Sequence, residues 1–84
     1  MRRYEVITHS YDSGVDQKEN TYTIQEAKAI IKDYLTTDDY YDSAAIYDYK
    51  TKKIIALYNG FSQDHIAADY RNSNAKVYWI EKEA

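Results

Sequence analysis

Hydrophobic and polar positions along this 84-residue chain change period several times, and each change marks an element. Over residues 3–9 they alternate, with Tyr4, Val6 and Thr8 on one side and Glu5, Ile7 and His9 on the other, the spacing of a strand buried on at least one face. Residues 11–20 carry Asp12, Ser13, Gly14, Asp16, Lys18, Glu19 and Asn20, a polar stretch with a glycine near its start, which reads as a mobile loop.

The period then lengthens. Thr23-Ile24-Gln25-Glu26 has the form of a capping box, in which the Thr23 hydroxyl accepts from the Glu26 amide and the Glu26 carboxylate reaches back to the Thr23 amide. Ala27, Ile30, Ile31, Tyr34 and Leu35 follow at the spacing of one helical stripe, with Lys28 and Lys32 on the solvated side. The spacing predicts a main helix over about 24–36. Two short apolar runs, 44–49 and 54–58, flank Lys50-Thr51-Lys52-Lys53 and predict a hairpin whose loop is longer than a tight glycine turn or is bulged. Ser62 as cap and Phe61 stapled to Ile66 predict a short second helix over about 62–70, broken by residues 71–74. Residues 75–81 close the chain as a strand, with Val77 and Trp79 on one face and Tyr78 and Ile80 on the other.

Strand, helix, strand, strand, short helix, strand is the order of an α+β domain with a four-stranded, mostly antiparallel sheet. It is also the element order of a ferredoxin-like split βαβ unit, with a four-stranded meander crossed by a helix as the rival. At this length, residues 1–84 are expected to form a single domain.

Composition narrows the chemistry. Without cysteine there is no disulfide, thiolate metal site or cysteine nucleophile. The N-terminus has no apolar stretch of the secretory kind, and no run approaches the roughly 20 residues that span a bilayer, so a cytoplasmic protein without membrane contact is expected. Absent proline and heavy use of Tyr, Ile, Lys, Asp and Asn suggest AT-rich codons, hence a low-GC bacterium or one of its phages or plasmids.

Catalytic signatures fail on residue type or spacing. Gly14 and Gly60 are too far apart for a glycine-rich phosphate loop. His9 and His65 lack a zinc-site spacing, and Asp12, Asp16 and Glu19 do not follow the calcium-loop pattern. Ser62, Asp64 and His65 crowd one helical turn and cannot take the geometry of a nucleophilic triad. The expectation is a protein that is not an enzyme and carries no cofactor and no metal.

One segment departs from what folding alone would choose. Asp33, Asp38, Asp39, Asp42 and Asp48 occur without an intervening Lys or Arg and interleave with Tyr34, Tyr40, Tyr41 and Tyr47. Aspartates beside a helix C-terminus oppose its dipole. A solvated turn explains them through side-chain bonds to nearby amides. An interface explains them too, because tyrosine supplies stiff amphipathic area and aspartate sets the partner's sign. The sequence therefore predicts a small interaction protein that binds a partner protein with a basic surface through Asp33, Asp38, Asp39, Tyr40, Tyr41, Asp42, Tyr47 and Asp48, such as a phage- or plasmid-borne inhibitor of a host nucleic-acid-binding or defence protein. Two alternatives stand beside it. Tyr47, Tyr49, Tyr58, Tyr78 and Trp79 could stack single-stranded nucleic acid on a sheet face, although the net charge of −3 opposes it. The tyrosines could instead form a homodimer surface.

Overall fold

The computed structural model of the chain describes residues 2–10, 14, 16–37, 42–61 and 75–81. The expected second helix over 62–70 and the break at 71–74 lie outside the described residues. Six elements follow in order: β1 (Tyr4–His9), β2 (Asp16–Thr21), α1 (Ile24–Thr37), β3 (Ser43–Asp48), β4 (Lys53–Tyr58) and β5 (Lys76–Tyr78). The strands form one five-stranded mixed sheet in the order β2-β1-β3-β4-β5.

Three neighbouring pairs are antiparallel and β4–β5 is parallel. The α+β class and the largely antiparallel sheet agree with the sequence reading; the strand count does not. The expected loop over 11–20 contains β2, which pairs with β1 from Tyr4 opposite Thr21 to His9 opposite Asp16. Its sequence, DQKENT, lacks apolar alternation because only Thr21 is buried. As an edge strand it is held by its backbone ladder, and its charges discourage further pairing.

The topology also departs from both expected arrangements. Strands β2 and β3 flank β1 and are each antiparallel to it, so they run parallel to one another and α1 joins them in a split βαβ unit. The β1–β2 hairpin and the parallel β5 are what separate this sheet from a ferredoxin-like order. Parallel neighbours need a crossover of a dozen or more residues, which the 59–75 connection supplies.

Helix α1 starts where the capping box places it. The Glu26 amide donates to Thr23 Oγ1 at 3.2 Å, but the Thr23 hydroxyl itself donates to Glu26 Oε1 at 3.2 Å. The carboxylate thus holds the cap side chain. Ala27, Ile31 and Leu35 bury the helical stripe against Val6, Ala44, Ile46, Ala56 and Tyr58. Ile7, Ala45, Tyr47, Ile54 and Phe61 form a second cluster on the other face of the sheet. This explains why β1 and β3 carry apolar residues on both sides.

A bulge lies between these faces. Ile46 pairs with Ala56 and Tyr47 with Ile54, leaving Ile55 as an extra residue in β4. Strict alternation would put Ile54, Ala56 and Tyr58 on one face; the bulge returns Ile54 to the side away from the helix. Among the described residues no helix is long and apolar enough to cross a membrane.

Candidate functional site

Two of the residues expected to form the acidic surface are internal. Tyr47 is only 6% exposed, within the second cluster, where its ring meets Tyr49 edge-on at 5.0 Å. Asp48 is 2% exposed. Both are internal, so neither can contribute the open interaction surface expected of it. Asp33 is exposed in the last turn of α1, and Asp42 is half-buried, its amide donating to the His9 carbonyl at 2.9 Å. Asp38, Asp39, Tyr40 and Tyr41 lie outside the described residues.

The last turn of α1 has no basic residue to offset its dipole. Thr36 Oγ1 donates to the Lys32 carbonyl at 2.6 Å and Thr37 Oγ1 to that of Asp33 at 2.5 Å, so both hydroxyls fold back one turn onto the helix.

Asp48 is a structural carboxylate. Arg3 grips it with two hydrogen bonds, Nε to Oδ1 at 3.0 Å and Nη2 to Oδ2 at 2.9 Å, while the Lys50 amide donates to Oδ1 at 2.9 Å. The Tyr49 amide also donates to the Arg3 carbonyl at 2.8 Å. The Arg3 hydrogen bonds hold the Asp48 carboxyl below its usual range against the opposing effect of burial, with help from the Lys50 amide. Asp48 thus locks the β3–β4 turn to the start of β1.

A second row of side chains crosses three strands. Asp16 is in register with His9, and His9 with Ser43, with Asp16 Oδ1 bonded to His9 Nδ1. These are the residue types of a hydrolase triad, brought together by a register that sequence spacing could not reveal. The chemistry stops at the dyad: Ser43 is fully enclosed and its Oγ has no hydrogen-bond partner. Among the described residues no group is placed to take its proton. The dyad clamps edge strand β2 onto β1, with Phe61 edge-on to the His9 ring.

The aromatic platform for nucleic acid is also divided. Tyr58 and Tyr78 stack at 4.9 Å on the helix side, whereas Tyr47 and Tyr49 sit with the opposite cluster. Burial raises the Tyr58 phenol above its usual range, and Tyr78 adds to the shift. Bases cannot stack on both faces of one sheet together.

The exposed apolar residues point elsewhere. Val77, in outer strand β5, is 60% exposed, and Trp79, the residue that follows the end of that strand at Tyr78, is 74% exposed. Asn59 pins the inner side of this strand: its amide donates to the Tyr78 carbonyl at 3.0 Å, its Nδ2 to the Ile80 carbonyl at 2.8 Å, and its Oδ1 accepts from the Ile80 amide at 2.7 Å. In an extended strand alternate residues direct their backbone groups to opposite sides. Tyr78 is committed towards β4 and Ile80 to the Asn59 side chain, so Val77, and Trp79 just past β5, direct theirs to the opposite side.

Beside this edge, on the helix side, lies a groove of about 340 Å³. Lys28, Lys53 and Lys76 line it around Ile24, Ile55 and Tyr78, with no carboxylate among the described residues of its lining. Lys28 Nζ stands 5.7 Å from the centre of the Tyr78 ring. Among the described residues no cluster of three or more His, Asp or Glu could hold a metal ion. The sequence showed Val77 and Trp79 sharing a face, but not that their strand is outermost, nor that lysines 25 and 48 positions apart converge beside it. Compared with known proteins, the chain matches no family model, no curated protein and no solved structure.

Proposed function

We propose that this protein is a small non-catalytic interaction module that engages a partner protein along the β5 edge of its sheet. The observation that carries the reading is the exposure of Val77 on the outermost strand and of Trp79 just beyond its end. Aromatic and aliphatic side chains left in water beside unpaired backbone are a liability in a free monomer and an asset in a complex. This reading favours the edge over the acidic segment, since Tyr47 and Asp48 are used inside the fold.

Homodimerisation through the same edge is opposed by charge. Two copies meeting there would bring two sets of Lys28, Lys53 and Lys76 together, and facing like charges destabilise paired strands. A different partner is favoured. A photo-crosslinking side chain at position 77 of the full chain, in the source cell, is expected to capture a discrete partner that is missed from exposed position 25 on α1. The same products from both positions would contradict the reading.

A further inference from the structure

The proposed docking at β5 can be taken to the chemistry of the docked segment, an inference that rests on that reading. A strand added outside β5 would send its side chains alternately to the two faces of the sheet. On the helix side they would meet Lys76, with Lys28 and Lys53 lining the groove beside it. On the other side they would meet Val77 and Trp79, both exposed, with half-buried Leu57 in register with Val77. The two faces of the vacant position therefore ask for opposite residue types.

We infer that the β5 edge accepts, as a sixth strand, an extended segment of a partner protein in which acidic and apolar residues alternate. Its backbone pairs with the amides and carbonyls of Val77 and Trp79, which the Asn59 contacts leave facing outward. Its carboxylates face the three lysines, which have no acidic neighbour among the described residues of the groove lining. Its apolar side chains cover Val77 and Trp79. Main-chain pairing supplies the affinity common to any extended segment, and the lysines select the sign of its charge. A basic segment would add positive charge to a groove that already holds three, and a proline at an inward-facing position would remove a ladder donor.

Trp79 is the only tryptophan of the chain, so its emission reports occupancy directly. The full-length protein is titrated with three capped octapeptides: one alternating Glu and Val, one alternating Lys and Val, and the first with proline at alternate inward positions. The Glu peptide is expected to shift Trp79 emission to the blue, to bind about tenfold more weakly to the Lys28→Glu, Lys76→Glu double variant, and to weaken with added salt. Both lysines are exposed, and a far-ultraviolet spectrum and thermal melt matching the parent establish that the variant is folded. The Lys and proline peptides are expected to leave the emission unchanged. Equal response to Glu and Lys peptides, no response to any, or unchanged binding by the folded double variant would each overturn the inference. So would sedimentation showing that a second copy of the chain already occupies the edge. Failure here with capture at position 77 intact would leave the partner-binding reading standing; loss of both would remove it.

Discussion

The side-chain amide of Asn59 pairs with the backbone of Ile80 as a strand residue would, donating to its carbonyl at 2.8 Å and accepting from its amide at 2.7 Å. Asn59 has a φ of 53°, a left-handed conformation that asparagine tolerates better than most residues. One residue therefore turns the chain out of β4 and fixes the strand that leads to Trp79.

Two substitutions separate these roles. Asn59→Gly keeps the left-handed backbone and loses only the side-chain bonds; Asn59→Ala loses both. Urea unfolding should show Asn59→Ala less stable than Asn59→Gly by about 1 kcal/mol, and both below the parent. Equal stability of the two variants would mean that the turn carries no conformational strain.

The Arg3–Asp48 contact makes a prediction about pH. The folded Asp48 carboxyl lies below its ordinary value near 3.8, so its contribution is fully present above that value and is lost as pH falls through the folded one. Asp48→Asn should cost about 1–2 kcal/mol at pH 7. Its stability should also fall less steeply than the parent's below about pH 4, because this carboxylate no longer takes up a proton. Parallel urea midpoints for both proteins across that range would show that the contact is not coupled to folding.

The helix cap is testable in isolation. Thr23→Ala removes the acceptor of the Glu26 amide and the donor to its carboxylate, and should cost about 1 kcal/mol. Thr23→Ser, which keeps the hydroxyl, should restore most of that. Thermal melts of the pair distinguish the hydrogen bond from the methyl group.

How much was legible in the sequence follows from the range of the interactions. Helix α1 was read closely because its capping box and apolar stripe are local, and Thr23 and Glu26 meet as their spacing requires. Strand β2 looks like a loop in the sequence because an exposed edge leaves no apolar period, and its partner is chosen by the β1 ladder. The burial of Tyr47 and Asp48 is hidden in the sequence for a related reason. Alternation along β3 cannot show that both faces are covered, and the arginine that neutralises Asp48 lies 45 positions earlier. The lysine groove was invisible because it gathers α1, β4 and β5.

The Asp16–His9 clamp sets an expectation for β2. Asp16→Asn should leave the remaining strands intact and accelerate amide exchange in residues 17–20, since the edge loses a cross-strand contact while the main core is untouched. Faster exchange spread equally through β3 would show that the dyad supports the whole sheet.

Backbone amide exchange in β5, followed residue by residue with and without the alternating Glu and Val peptide, tests the central claim most directly. In the free protein the Ile80 amide, bonded to Asn59, should exchange slowly, and those of Val77 and Trp79 quickly. Addition of the peptide should slow Val77 and Trp79 and leave Ile80 nearly unchanged. Protection of Val77 and Trp79 before any peptide is added, or no change at either on saturation, would contradict an open edge that receives a sixth strand.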